Sequence, residues 1–172
     1  MNVKKIEVGI LQTNCYILNK NNKCLIIDPG DEIDKIINNI EGEVIGIIVT
    51  HYHFDHIGAL EQLKNKYNVN VYDISNLQEK EYNISDFKFE VIHTKGHHFT
   101  CITIYFKEDN IMFTGDFLFK QSIGRTDLEG SNELEMYESL EKIKKYSDDI
   151  KLYPGHGEST NLGYEKKYNI FF

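Results

Sequence analysis

The amino-acid sequence predicts an α/β fold, a layered sandwich with helices on the outside. Short apolar segments typical of strands alternate with segments of helical periodicity, and this alternation occurs in two successive halves of the chain. Each predicted strand ends in a polar loop. No linker, low-complexity tract or block of charge interrupts the 172 residues, so we expect a single domain over residues 1–172.

The first half is predicted to contain five strands and two helices. Asp28-Pro29-Gly30 has the composition of a turn, and Asp31 is expected to cap the helix that follows, because its carboxylate can accept hydrogen bonds from free helix amides. The β-branched run at 44–49 is typical of a strand buried on both faces. The predicted strands are 3–9, 14–18, 24–27, 44–49 and 69–72, and the helices carry apolar faces at Ile33, Ile36, Ile37 and Ile40 and at Leu60, Leu63 and Tyr67.

The second half is predicted to contain further strands and two helices. A helix is expected from Glu133 to Tyr146, with Asn132 at its N-cap and Glu135 placed to complete a capping box. The remaining predicted elements are strands near 86–92, 101–106, 110–114 and 150–153 and a terminal helix.

Composition narrows the classes of function. The chain has 27 acidic and 19 basic residues and a net charge of −8, which argues against a nucleic-acid surface. No segment has the length and apolarity of a transmembrane helix, and the N-terminus lacks the apolar run of a signal peptide. Three scattered cysteines do not suggest a disulfide framework, and Cys15 and Cys101 fit small core positions. We therefore expect a cytoplasmic protein without a membrane or nucleic-acid partner.

The most informative feature is the hexapeptide from His51 to His56, which also contains His53 and Asp55. Imidazole and carboxylate groups suit zinc, iron or manganese. A polar loop with a chance run of histidines is the alternative, but the chain has only seven histidines and three of them lie here. The preceding strand would position this loop at a strand's C-terminal end, where open α/β sheets place their sites.

Three further loops offer similar side chains after predicted strands. His97, Asp116 and His156 each follow a glycine, which allows the backbone to approach a crowded centre closely. Each residue alone would more often be a cap or turn residue. Their common position at strand ends favours a shared metal site.

Together these motifs resemble the metallo-β-lactamase fold, and in particular its glyoxalase II-like hydrolases. The segments 11–16, 27–30 and 122–127 are also similar to that group, so the resemblance extends over nearly the whole chain. It implies a four-layer αββα sandwich and two divalent metal ions, with zinc favoured and iron or manganese possible. The implied ligands are His51, His53 and His97 for one ion, Asp55, His56 and His156 for the other, and Asp116 as a bridge between them.

Several features depart from the usual family pattern. The usual Thr-Pro-Gly-His-Thr is replaced by a sequence that places Lys95 and His98 around His97, and the segment between Tyr72 and Phe87 is short. The C-terminal helical domain that grips glutathione in full glyoxalase II enzymes is not expected. His98 is predicted to face solvent, with an outer partner of the metal site as the alternative. His93 is predicted to pack or to form a supporting hydrogen bond.

The resemblance implies hydrolysis by a hydroxide held between the two ions, since metal binding lowers the pKa of water from near 16 to about 7. Asp55 and Asp116 would be the catalytic carboxylates. Arg125 would bind a substrate carboxylate, although an ion pair with Asp127 or Glu129 is an equal alternative. The favoured substrate is a small anionic thioester or ester, as for a hydroxyacylglutathione hydrolase.

Three alternatives remain open from the sequence. A mononuclear iron persulfide dioxygenase resembles the same pattern, a lactonase would use the same dinuclear centre, and a non-catalytic metal-binding module is a third class. A secreted β-lactamase is disfavoured by the absent signal and by the Gly-Asp bridge. The sequence leaves the acyl group, the resident metal and the oligomeric state open.

Overall fold

The computed structural model describes residues 1–172 and places them in two main sheets with helices on their outer faces. The first sheet has the strand order β1-β2-β3-β4-β5 and the second has the order β13-β12-β9-β8-β7-β6. The first half of the chain forms β1 (Asn2–Val8), β2 (Thr13–Lys20), β3 (Lys23–Ile27), α1 (Ile33–Ile37), β4 (Glu43–Ile48), α2 (Phe54–Ile57), α3 (Leu60–Tyr67) and β5 (Val71–Tyr72).

The second half builds the other sheet, with a separate two-stranded ribbon formed by β10 and β11. Its elements are β6 (Glu81–Ile84), β7 (Phe87–His93), β8 (Ile102–Phe106), β9 (Ile111–Gly115), β10 (Leu118–Phe119), β11 (Ser122–Ile123), α4 (Glu133–Ile143), β12 (Lys151–Pro154), β13 (Thr160–Asn161) and α5 (Leu162–Tyr168).

Three apolar clusters define four layers. The largest, with 14 buried residues, lies between the sheets and contains Leu18 from β2 and Phe113 from β9. A second packs the outer face of the first sheet against helices, through residues such as Ile36 and Leu63. The third packs the second sheet against α4 and α5, through residues such as Leu140. This α-β-β-α order confirms the predicted four-layer sandwich.

The alternation of side chains along a strand explains how one strand packs against layers on both of its faces. In β2, Tyr16 and Leu18 belong to the cluster between the sheets, whereas Cys15 and Ile17 belong to the outer cluster. Successive strand residues point to opposite faces, so an apolar strand can pack against another sheet and a helix at once. The predicted strand 44–49 corresponds to β4, which pairs in parallel with both β3 and β5.

The helix ends differ in part from the predictions. The N-cap of α1 is Glu32 and not Asp31. Glu32 itself has a left-handed backbone conformation, and the chain turns there, so Asp31 accepts a hydrogen bond only from the adjacent Glu32 amide. Asn132 does cap α4, accepting from the Glu135 amide at 3.1 Å. The reciprocal half of the capping box is absent, since the Asn132 amide donates to the Gly96 carbonyl. The helix ends at Ile143 rather than Tyr146.

Several short elements escaped prediction. The strand β6 pairs only with β7, and its residues alternate between exposed and half-buried positions. Strands β10, β11 and β13 have two residues each, too few to produce a periodic pattern. The sequence predicts a loop for the metal-ligand hexapeptide, whereas its last part forms α2. No helix combines the length and apolarity needed to cross a membrane.

Candidate metal centre

The seven predicted ligand residues lie together where strands of both sheets end. His51 and His53 follow β4, and Asp55 and His56 lie on the short helix α2 immediately beyond. The second sheet contributes one residue from each of three loops: His97 follows β7, Asp116 follows β9 and His156 follows β12. The centre is therefore built across the seam between the sheets.

The first cluster consists of His51, His53 and His97. Nδ1 of His53 lies 3.1 Å from Nε2 of His51 and 2.9 Å from Nε2 of His97. Tetrahedral zinc with Zn–N bonds of about 2.0–2.1 Å separates its nitrogen ligands by roughly 3.3 Å. The three nitrogens thus converge on one point at nearly the spacing of metal ligands.

The second cluster consists of Asp55, His56 and His156. Nε2 of His156 lies 3.2 Å from Oδ2 of Asp55, and Nε2 of His56 lies 3.5 Å from the same oxygen. Thr13 donates a hydrogen bond of 2.7 Å to that Asp55 oxygen and helps to hold it in place.

Asp116 is shared by the two clusters. Its Oδ1 lies 3.2 Å from Nε2 of His56, and its Oδ2 lies 3.4 Å from Nε2 of His156 and 3.7 Å from Nε2 of His97. One carboxylate therefore faces ligand atoms of both sets. This is the position that a bridging ligand would occupy.

Outer partners orient the imidazole rings. Nδ1 of His56 lies 3.0 Å from Oδ2 of the buried Asp28, which also accepts from the Thr50 hydroxyl at 2.6 Å. Nδ1 of His97 donates to the Arg125 carbonyl at 2.9 Å. Since each Nδ1 is a donor, the opposite Nε2 faces the centre and is the nitrogen that would bind a metal ion.

His156 and His51 are oriented by similar contacts. Nδ1 of His156 donates to the Leu11 carbonyl at 3.1 Å. Nδ1 of His51 lies 3.3 Å from the Thr50 hydroxyl, whose own proton goes to Asp28. His53 is the exception, because its Nδ1 itself faces the cluster. The backbone and neighbouring side chains thus select the ring nitrogen that the other four histidines present.

Two buried polar atoms show that the residues fit a metal. Nε2 of His56 and Oδ1 of Asp116 have no hydrogen-bond partner, although they lie only 3.2 Å apart. Buried polar atoms are normally satisfied, and a cation between these two would satisfy both. The nitrogen and carboxylate donors suit zinc, iron or manganese.

The electrostatics of the two clusters differ. Burial and neighbouring imidazoles lower the pKa of His53 to about 4 and that of His51 well below its ordinary value. Burial also disfavours the charged form of His56, but Asp28 and Asp116 outweigh it and raise the pKa of His56 to about 10. Without metal, His51 and His53 are neutral, whereas His56 tends to hold its proton.

The pKa values of His156 and Asp55 also distinguish the second cluster from the first. Burial opposes protonation of His156, but Asp116 and Asp55 raise its pKa to about 9. Burial would raise the pKa of Asp55, yet His156 and His56 lower it to about 2. The second cluster therefore contains paired charges that a metal ion would replace.

The glycine before His156 is required by close packing. A Cβ atom on Gly155 would lie 2.1 Å from Oδ1 of Asp116 and 2.7 Å from Cε1 of His56. The Gly155 amide also donates to the Gly115 carbonyl at 2.8 Å. The loop thus brings its backbone against the shared carboxylate, as the Gly-His pattern predicts.

The other candidate residues lie outside the two clusters. The exposed guanidinium of Arg125 donates twice to Asp127, at 2.9 and 2.8 Å, so the ion pair left open by the sequence is present. His98 is half-buried rather than fully solvent-facing, with its ring 4.9 Å from that of His53. His93 packs away from the centre and bonds to the Leu77 carbonyl at 3.0 Å.

The sequence interpretation missed Asp28 and Tyr52 as supporting residues. The sequence predicts a turn at Asp28, although this residue directly follows β3, the parallel neighbour of the strand that carries the histidine loop. That adjacency was the available signal. The hydroxyl of Tyr52 donates to the buried Asp73 and ties the ligand loop to the segment after β5. No sequence pattern indicates this contact.

Comparison with known proteins agrees with the fold. The family model of the metallo-beta-lactamase superfamily matches residues 8–77 and 69–156. The chain is 30% identical to the hydroxyacylglutathione hydrolase GloC of Haemophilus influenzae, over 99% of this chain and 98% of that protein.

Two solved structures are also similar over nearly their whole length. One is the BLEG-1 B3 metallo-beta-lactamase, with a TM-score of 0.94, 30% identity and coverage of 99% of each chain. The other is TTHA1623 in a di-iron-bound form, with a TM-score of 0.90, 28% identity and coverage of 99% of this chain and 100% of that one. The chain therefore belongs to the metallo-β-lactamase superfamily.

Proposed function

We propose that this protein is a dinuclear metal-dependent hydrolase that cleaves a small thioester or ester. The observation that carries the proposal is the position of Asp116, whose two carboxylate oxygens face ligand atoms of both clusters. His51, His53 and His97 would hold one ion, and Asp55, His56 and His156 the other. Zinc is the favoured metal, and the di-iron form of TTHA1623 supports iron as the alternative.

The two ions, when bound, would lower the pKa of a water molecule to about 7 and polarise the substrate carbonyl. Asp116 would set the separation of the two sites through its two oxygens. Asp55 would bind only the second ion, with its carboxylate held in place by the Thr13 hydroxyl. Both carboxylates are assigned catalytic roles because they face the position where the reacting atoms would lie.

None of the three cysteines competes for this role as a nucleophile. Cys15, Cys24 and Cys101 are all buried, and burial raises the pKa of each thiol. A neutral, inaccessible thiol is a poor nucleophile. The chemistry is therefore assigned to the metal centre.

The substrate class rests on resemblance and on Arg125. The similarity to GloC supports a thioester substrate. Arg125 is proposed to bind a substrate carboxylate at the rim, in which case the incoming carboxylate would displace Asp127 from the exposed ion pair. An exposed pair contributes only about 0.2–1 kcal/mol, so this exchange is energetically accessible.

Metal content is the first test. After purification from metal-replete medium, elemental analysis should find two zinc, iron or manganese ions per chain. His53→Ala should lose one of them, whereas His93→Gln is the matched control because His93 lies outside both clusters. A single tightly bound iron with oxygen uptake on a persulfide would instead identify a dioxygenase.

Activity is the second test. The metal-loaded protein should release thiol from S-lactoylglutathione or from a simpler thioester, and Asp116→Asn should abolish this release. A lactone and a chromogenic β-lactam are tested in parallel. Hydrolysis of the lactone or the β-lactam without hydrolysis of a thioester would overturn the proposed substrate class. If the protein with two bound metal ions hydrolysed none of these substrates, a non-catalytic metal-binding role would be favoured.

A further inference from the structure

An open trough adjoins the first cluster. It encloses about 390 Å³, and the amide of Phe99 joins its two walls by donating to the Gly130 carbonyl at 3.0 Å. His53 forms part of the trough, so a molecule that occupies it would also touch a ligand of the centre. The lining residues are His53, His98, Phe99, Leu128, Glu129 and Gly130.

His98 presents a hydrogen-bond donor to this trough. Its Nδ1 lies 2.6 Å from the Thr100 hydroxyl, and the Thr100 amide points at the same nitrogen from 3.4 Å. Because an amide can only donate, Nδ1 is the acceptor, and the neutral ring carries its proton on Nε2. This Nε2 has no acceptor within the protein and lies beside Gly130.

The ring of Phe99 extends the surface next to this donor. Its centroid lies 4.3 Å from that of His98, with an angle of 34° between the rings, and 57% of the residue is exposed. A Cβ atom on Gly130 would lie 3.1 Å from both Nε2 of His98 and Cδ1 of Phe99. The glycine therefore leaves the donor and the ring accessible.

The charge of the trough excludes an anionic occupant. No lysine or arginine lines it, and Glu129 contributes an exposed carboxylate. Arg125, the proposed binding residue for a substrate carboxylate, is not among the residues that line the trough. One N–H donor beside an aromatic face matches a neutral group that combines a carbonyl acceptor with apolar carbon, such as an amide.

We propose that His98 and Phe99 form a substrate subsite for a neutral, amide-bearing arm. This inference rests on the proposed hydrolase function and refines its substrate class. It also gives a role to the histidine that replaces the threonine usual after the ligand in this family. One neutral hydrogen bond should improve binding of such an arm by about three- to tenfold over an apolar arm of the same shape.

The test uses two thiols that differ only in the amide and need no turnover. N-acetylcysteamine carries the amide, and 4-methylpentane-1-thiol is its apolar counterpart; the thiol of each would bind the metal centre. Calorimetry on the dimetal protein should show that the wild type prefers N-acetylcysteamine, after correction for the transfer of each thiol from water. Addition of N-acetylcysteamine should also shift the imidazole resonances of His98.

Variants show whether the preference arises from direct contacts of His98 and Phe99 with the thiol or from a general change in the structure. His98→Ala should remove the preference, and His98→Gln should restore part of it, since the glutamine amide can replace the Nε2 donor. Phe99→Leu should weaken both thiols, while Tyr168→Ala, an exposed aromatic on α5, is the control. Metal content is measured for every variant, because His98 adjoins the ligand His97.

Each result has a distinct meaning. Equal preferences in the wild type and His98→Ala, with both metals retained, would overturn the subsite. Selective binding without hydrolysis of any thioester would leave the subsite in place and refute the proposed function. Hydrolysis that does not distinguish an N-acetylcysteamine thioester from its apolar counterpart, in either protein, would support the function and refute the subsite.

Discussion

Raising the pH from 6 to 8 should affect the two metal sites differently. Burial and neighbouring imidazoles lower the pKa of His53 to about 4 and that of His51 well below its ordinary value, so neither has a proton to lose in this range. The carboxylates around the second cluster raise the pKa of His56 to about 10 and that of His156 to about 9. Metal binding requires neutral imidazoles, so the second ion must displace these protons.

The magnitude follows from the number of protons displaced. Each proton released changes the apparent dissociation constant about tenfold per pH unit below the pKa of its group. Two histidines would tighten the second site by up to about 10⁴-fold between pH 6 and 8. The charge of the first ion lowers both pKa values, so we expect a release of between one and two protons. The affinity of the first site should change less, because His51 and His53 have no proton to release in this range.

Calorimetric titration in two buffers of different ionisation enthalpy measures this proton release directly. The pH dependence of the stability of the metal-free protein provides a second measurement, for which the direction of the change can be predicted. Because the folded-state pKa of His56 is raised above the unfolded value of about 6.5, its contribution to stability is complete below that pH and is lost as the pH rises through about 10. Equal proton release for the first and second ions would refute this account of the centre.

Three substitutions test other parts of the site. Asp28→Asn should weaken the second metal by about 10–100-fold. An asparagine oxygen in place of Oδ2 could still accept from the Thr50 hydroxyl and His56, but its NH2 group would then face the Thr50 amide, which donates to Oδ1 of Asp28 at 2.7 Å. Chelator competition measures the affinity, with the exposed Asp34→Asn as control, and equal affinities would contradict the role of Asp28. Asp116→Asn should abolish turnover and weaken the binding of at least one metal ion, while the fold is retained. Elemental analysis measures the metal content and circular dichroism checks the fold. Turnover at the wild-type rate would contradict the assignment of Asp116 as the bridging ligand. Arg125→Ala should raise KM for an anionic ester by a few-fold to tens-fold while kcat stays nearly constant, and the effect on KM should be smaller in high salt. If kcat fell equally for neutral and anionic esters, Arg125 would have no role in binding a substrate anion.

The layered fold and the grouping of ligand residues were predictable because they depend on local patterns. A β-branched run identified β4, and the polar residues that follow strands identified the loops of the centre. Strand C-termini of one layer meet at one edge, so residues far apart in sequence could be expected to meet. His97, Asp116 and His156 illustrate this, since each is uninformative alone and all three lie in the two clusters.

The remaining features depend on contacts that no local pattern records. The role of Asp28 requires the pairing of β3 with β4, and the orientation of His97 requires a carbonyl 28 residues away. The trough beside His98 depends on the approach of the segment around Gly130 from another part of the chain. Such arrangements are set by packing between distant segments.

The seam between the sheets has a consequence for how the chain could be divided. Residues up to Tyr72 form one sheet and residues from Glu81 form the other, so a cut between them would produce two fragments, each with its own strands. One fragment would carry four of the seven ligand residues and the other three, and neither would hold a complete cluster. Metal ions should therefore act as a cross-link that strengthens reassembly of the fragments, and a chelator should weaken it. This protein would then serve as a split reporter whose reassembly responds to the available metal.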